Sequence, residues 1–207
     1  RDNIGFYFVK SFYYYVHMFI CKNKYFLIIE NIKDIDLKNI KIRDKFFIIY
    51  RNNKKIDKLD DLLRFRQECK IKAIKFYIAN NIDLAISLSS DGVYLSSFNR
   101  DLKYLNYKRA NFGIIGSAHN LKEIMIKLKQ GCNFILLSKL FIVSYDKKAP
   151  YLGVLKFNNF SKISKQLIPL GGIKDHNLNQ LKNVFGDGFA LLSEIKKKPA
   201  KIINRLF

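Results

Sequence analysis

The sequence predicts an α/β protein, a compact (β/α)8 TIM barrel forming a single domain. Three observations lead there. From Tyr25 onward, eight short runs rich in β-branched and aromatic residues punctuate the chain. Stretches with helical spacing separate most of them, and crossovers of that kind impose parallel pairing. Eight such units close into a barrel, and 207 residues suit one domain whose core needs no disulfide or metal. An open doubly wound sheet is the alternative arrangement of the same elements.

Strands are expected at 25–30, 46–51, 74–79, 92–95, 113–117, 134–137, 168–171 and 188–191. Helices are expected at 58–69, 81–89, 99–105, 121–129, 156–164 and 176–184. A last helix at 199–207 opens with Pro199, which a first helical turn tolerates. Within 121–129, Leu121, Ile124, Met125 and Leu128 recur at the interval of one buried stripe. The first crossover, 31–45, is short and heavily charged, and is expected to hold a stunted helix or none.

Residues 4–20 are mostly apolar, but Lys10 and His17 interrupt them and they fall short of the ~20 residues a bilayer span needs. They also lack a small-residue cleavage site, so neither a membrane span nor a signal peptide is expected. Residues 1–24 read as an N-terminal extension, with translation expected to start at Met18, and 25–207 as the barrel.

Apolar residues make up 49% of the chain and aromatics 14%, which excludes a disordered or low-complexity protein. Cys21, Cys69 and Cys132 are far apart and odd in number, which argues against a disulfide framework or zinc site and for a reducing, cytoplasmic setting. They read as small buried hydrophobes. The net charge of +21 would attract nucleic acid, anionic lipid or phosphorylated small molecules. The lysines are scattered in a chain rich in Ile, Lys and Asn, so base composition plus a phosphate ligand is favoured over a nucleic-acid partner. A basic barrel that binds phosphate compounds or nucleic acid without catalysis stays as the alternative of another class.

Barrel chemistry sits at the carboxyl ends of the strands. The polar residues expected there are Arg51, Asn80 and Asn81, Ser96 and Ser97, Ser117 and His119, Lys139, Gly171 and Gly172, and Ser193. This ring is rich in donors and nearly free of carboxylates, so it suits an anion rather than a metal. In LIPLGGIKDHN, Gly171 and Gly172 let backbone approach a ligand, and strand 8 ends at Leu192 and Ser193. Loops after strands 7 and 8 are the usual phosphate cradle of such barrels. Gly172→Val is expected to abolish phosphate binding with the circular dichroism intact.

The stretches YFLIIENI, YRNNK, IANNIDLAISLSSDGVYL, IIGSAHN, LGGI and GDGFALLSEI resemble the thiamine phosphate synthase and thiazole tautomerase (TenI) family of small barrels, from roughly Tyr25 to Ile195. The resemblance implies thiamine biosynthesis and one of two chemistries. The synthase joins a pyrimidine pyrophosphate to a thiazole phosphate with magnesium; the tautomerase shifts a proton on a thiazole carboxylate phosphate. In both, the thiazole-side phosphate lies on the strand 7 and 8 loops, which gives that role to Gly171, Gly172, Leu192 and Ser193.

The synthase pattern is eroded. Arg51 is kept, but Asn53 stands where a lysine is expected, with Lys54 one place late. The Asn-Asp pair after strand 3 reads Asn80-Asn81, and the aspartate after strand 4 reads Asn99, with Asp101 two residues beyond. Tyr94 replaces a histidine, and KLFIVSYDKK lacks the usual threonines. Magnesium prefers charged oxygens, so it is expected only if synthase activity is retained. Lys139, Lys147 and Lys148 are the candidates to neutralise a departing pyrophosphate without it. The tautomerase therefore fits better, with His119 as the catalytic acid–base group and Arg51, Asn80 and Ser117 facing the ligand. A capping role for His119 is its structural alternative, and His17 and His176 read as structural.

Overall fold

The computed structural model describes residues 24–40, 44–52, 56–146 and 148–192. The extension before Lys24, Met18, His17, Cys21, Asn53, Lys54, Lys147, Ser193 and the helix expected at 199–207 lie outside them.

Eight strands form: β1 (Lys24–Ile29), β2 (Phe46–Tyr50), β3 (Lys75–Ala79), β4 (Gly92–Leu95), β5 (Gly113–Ala118), β6 (Phe134–Ser138), β7 (Leu167–Leu170) and β8 (Gly188–Leu191). Each pairs in parallel with its sequence neighbours, and β8 returns to β1 in the register Lys24↔Gly188 to Leu27↔Leu191. That pairing closes the barrel and excludes the open sheet. The Lys24 ammonium and Asp187 carboxylate form an ion pair beside this seam.

Among the described residues four α-helices cover the outside: α1 (Leu59–Ile71), α2 (Ile82–Ser87), α3 (Leu121–Lys129) and α4 (Gly153–Ser161). The remaining crossovers are 3₁₀ segments. Between β1 and β2, two three-residue turns stand where a stunted helix or none was expected. Asn31 and Asp36 each cap one of them, accepting the Lys33 and Lys38 amides. Capping side chains that recur this closely restart the chain before an α-turn can propagate. Asp57 then ties this crossover to the next, accepting from Asn31 Nδ2 at 2.6 Å and Tyr50 Oη at 3.0 Å. The segments expected as helices near 99–105 and 176–184 are 3₁₀ throughout, at Leu102–Tyr107 and Asp175–Asn183.

The core has two shells. Inside the barrel, Phe26, Ile28, Phe47, Ile49, Tyr77, Tyr94, Ile115, Leu136, Ile168 and Ala190 pack together, with Phe26 stacked on Phe47 at 4.6 Å. The alternate residues face the helices in a larger outer cluster. Strand side chains alternate with a period of two, so the next inward positions at the carboxyl ends are Glu30, Arg51, Ala79, Ser96, Ser117, Ser138, Leu170 and Leu192. Tyr94, 1% exposed, fills the barrel interior.

One expectation about α3 fails. Ile124 is buried as expected, but Leu121 and Met125 are 42% and 45% exposed, while Lys127 is wholly buried. The stripe is rotated because the Lys127 ammonium finds three oxygen acceptors in the layer beneath, so burying its stem leaves no polar group unpaired.

Candidate functional site

A cavity of about 170 Å³ opens at the carboxyl end of the barrel, lined by Arg51, His119, Ser138, Lys139, Val143, Tyr145, Leu170, Gly171, Gly172, Ile173, Ala190, Leu191 and Leu192. The fold thus brings together six of the residues expected at the mouth: Arg51, His119, Lys139, Gly171, Gly172 and Leu192. At Ser138 and Lys139 the cavity adjoins a groove of about 290 Å³ that also touches His119, Pro150, Tyr151, Leu152 and Lys156. Neither lining contains a carboxylate. Joined, the two approach the size of ordinary small-ligand sites.

His119 follows β5 directly. Its backbone N–H donates to Glu123 Oε2 at 2.8 Å, but the cap of α3 is Asn120, whose Oδ1 accepts the Glu123 amide at 3.0 Å. The His119 ring is therefore not the cap. Its Nδ1 lies 2.9 Å from Ser138 Oγ, linking the adjacent ends of β5 and β6. Ser138 is the residue that the sequence reading missed. Its signal was present in the period of β6, where Phe134, Leu136 and Ser138 share the inward face.

Arg51 continues the inward face of β2, where its Nε is buried with no hydrogen-bond partner among the described residues. A buried donor left unpaired is costly, and an anion in the cavity would satisfy it. Lys139 Nζ sits 5.7 Å from the Tyr145 ring centre, which steadies the ammonium at the rim.

Gly171 and Gly172 both have positive φ, +92° and +69°. A Cβ on Gly172 would lie 2.4 Å from the Phe141 carbonyl oxygen and 2.6 Å from that of Ile142. The chain after β6 runs alongside, with the Leu140 and Phe141 amides donating to the Leu170 and Gly171 carbonyls. These glycines thus serve first to let two loop backbones meet. The expectation that Gly172→Val leaves the fold untouched is corrected accordingly: the added side chain would strike main chain. Asn177 holds the same turn from outside, its Nδ2 donating to the Gly172 carbonyl at 2.8 Å.

Asn80 and Ser117 do not line the cavity. Ser117 is 6% exposed on the inner face of β5. Asn80 has φ of +53° and is committed elsewhere. Its Oδ1 accepts from Ser96 N–H at 3.1 Å, Ser96 Oγ at 3.2 Å and Asn99 Nδ2 at 3.4 Å. Asn81 Oδ1 caps α2 through the Leu84 amide at 2.9 Å. Asp101 is exposed and paired with Lys103 at 3.0 Å. Amides saturated by their own neighbours do not suit magnesium, and among the described residues no three His, Cys, Asp or Glu side chains are grouped to hold a metal.

The buried thiols of Cys69 and Cys132 lie between barrel and helices, away from this mouth, and burial pushes each up to about 12. Among the described residues no helix is long and apolar enough to cross a membrane.

Comparison with known proteins agrees with the barrel. The family model described as thiamine monophosphate synthase matches residues 15–195. A thiamine-phosphate synthase of Prochlorococcus marinus (strain AS9601) is 29% identical over 173 residues, which cover 81% of this chain and 48% of that protein. One of Clostridioides difficile (strain 630) is 27% identical over 138 residues, covering 65% of each. The chain thus spans about half to two thirds of the length of these relatives. The thiamine phosphate pyrophosphorylase of Pyrococcus furiosus superposes with a TM-score of 0.65 over 91% of this chain and 98% of that one. At 18% identity, that likeness speaks for the fold alone.

Proposed function

The chain belongs to the thiamine monophosphate synthase family, a family of thiamine biosynthesis, and we propose that it binds a thiazole phosphate and moves a proton on its ring without a metal. The observation that carries this reading is the His119–Ser138 pair at 2.9 Å, set beside the unpaired Arg51 Nε in one carboxylate-free cavity.

The residues divide the work. Arg51 and Lys139 draw the anionic ester into the mouth. Main-chain amides of the Gly171–Gly172 turn and of Leu192, just past β8, hold the phosphate, and the family resemblance gives Ser193 the same role. Leu170, Ala190 and Leu192 give the ring an apolar seat and keep water from it. With Nδ1 engaged by Ser138 Oγ, His119 Nε2 is the nitrogen left to face the ring. It takes a proton from one ring position and returns it to another, so the substrate rearranges with no oxidant or second substrate consumed. A cytosolic place of work belongs to the same proposal.

The second reading is thiamine phosphate synthesis, favoured by the names of the relatives, with a pyrimidine pyrophosphate as the other substrate and magnesium as its cation. The loops after β3 and β4 do not present magnesium's usual ligands, so no step is assigned to that ion. One pair of assays separates the readings. Hydrogen exchange on a thiazole carboxylate phosphate, lost in His119→Asn, supports proton transfer. Thiamine phosphate formed from thiazole phosphate and pyrimidine pyrophosphate, only with magnesium, supports synthesis and overturns the first reading.

A further inference from the structure

Lys127 is the most deeply buried cation among the described residues, 0% exposed on the inner face of α3. Its ammonium donates to the Ser96 carbonyl at 2.7 Å, the Asn99 carbonyl at 2.6 Å and Gln130 Oε1 at 2.9 Å. Three protons meet three neutral oxygens. Among the described residues it makes no ion pair. Its stem runs through space that Gly116 leaves open, since a Cβ on Gly116 would sit 2.7 Å from Lys127 Cδ.

Two of the oxygens Lys127 binds, the Ser96 and Asn99 carbonyls, lie on the loop after β4, where the family resemblance calls for a metal-holding aspartate and this chain has Asn99. That loop is tied onward to the β3 loop. Asn99 Nδ2 and Ser96 both donate to Asn80 Oδ1, and Tyr104 Oη donates to the Asn80 carbonyl at 3.2 Å. Gln130 closes the circuit from α3, its Nε2 donating to the Asp101 carbonyl at 2.8 Å. A magnesium ion would order these two loops by drawing carboxylates and carbonyls around a central positive charge. Here one ammonium gathers carbonyls and amides to the same end.

We propose that Lys127 is a built-in cation that orders the β3 and β4 loops in place of a divalent ion and bars such an ion from them. It is a positioning residue, since it touches the loop frame and not the cavity. A fixed positive charge against the Asn99 backbone repels a second cation, and each oxygen it holds is one fewer to offer a metal. The inference stands apart from the reaction assigned above, because it concerns the opposite side of the mouth and its test needs no substrate.

The probe is Mn²⁺ alone, followed by electron paramagnetic resonance. The native protein is expected to show no stoichiometric Mn²⁺ binding at micromolar concentrations. Asn80→Asp, Asn81→Asp and Asn99→Asp together restore the carboxylates, yet with Lys127 in place binding should stay weak. Adding Lys127→Met to that triple variant should tighten Mn²⁺ at least tenfold. Native protein that binds Mn²⁺ stoichiometrically overturns the proposal, as do equal affinities with and without Lys127. If the quadruple variant does not fold, hydrogen exchange on the single Lys127→Met variant decides. Amides at 96–101 should exchange at least tenfold faster while those of β6 to β8 are unchanged, and unchanged rates at 96–101 would refute the loop-ordering role.

Discussion

Gly153 and Gly172 share the same φ of +69°, but a Cβ on Gly153 meets nothing within 4 Å, whereas one on Gly172 meets the Phe141 carbonyl carbon at 2.5 Å. Alanine at each position therefore separates two costs that a single glycine substitution confounds. The left-handed conformation costs an L-residue about 1–2 kcal/mol, and that applies to both. Crowding adds about 1–3 kcal/mol at Gly172 only, as for an overpacked core. The expected difference between Gly172→Ala and Gly153→Ala is thus about 1–3 kcal/mol, a large part of a typical ~5–15 kcal/mol total. In urea, with a slope of about 2 kcal/mol/M, the midpoints should differ by about 0.5–1.5 M at unchanged slope. The entropy that alanine removes from the unfolded chain is common to both and cancels. Equal midpoints would refute the close approach of the two loops, and with it the wall that Gly172 gives the mouth.

Other outcomes follow from the same geometry. His119→Asn should lower proton exchange into the thiazole ring by about 10²–10⁴-fold, while Ser138→Ala, which removes one neutral hydrogen bond worth about 1 kcal/mol, should lower it about fivefold with little change in KM. Arg51→Met should weaken binding of a thiazole phosphate by about 10- to 100-fold in calorimetry, the worth of one hydrogen bond to a charged group. The Cys69 and Cys132 thiols, pushed up to about 12 by burial against an ordinary value of 9.0, stay protonated in the fold while the unfolded chain ionises. Stability should therefore fall as pH rises from about 9 towards 12, by up to about 1.4 kcal/mol per unit per thiol, and Cys69→Ala with Cys132→Ala should flatten that slope in denaturation curves.

The strands were legible in the sequence because each is a β-branched and aromatic run that must be buried on both faces. Phe46–Tyr50, FFIIY, can belong nowhere but between a barrel interior and a layer of helices. The 3₁₀ segments were not legible, because 99–105 and 176–184 carry helical spacing and their tighter winding is set by local caps such as Asp101, which accepts the Lys103 amide. At the site, position along the chain sufficed for Arg51 and His119, both one step past a strand end. Ser138 needed the strand's phase to be carried one residue further than its apolar run. Asn80 was misplaced because composition shows an amide and not its partners, and Lys127 was hidden because a lysine among helical apolar residues reads as surface.

The mouth is divided by how its polar groups are spent. From β5 round through β8 to the end of β2 they are left open among the described residues, with the Arg51 donor unpaired, a lysine over a ring and a histidine held through only one nitrogen. Around the β3 and β4 loops the Asn80 Oδ1 acceptor and all three Lys127 protons are used internally, and the cation that would otherwise come from solution is part of the chain. Coupling two phosphorylated rings needs both halves, because the second ring and its departing pyrophosphate must find partners opposite the first. Rearranging one ring needs only the open half. On the reading proposed above, the open half is the one that takes a single anion and moves its proton, and the half closed by its own hydrogen bonds takes no part.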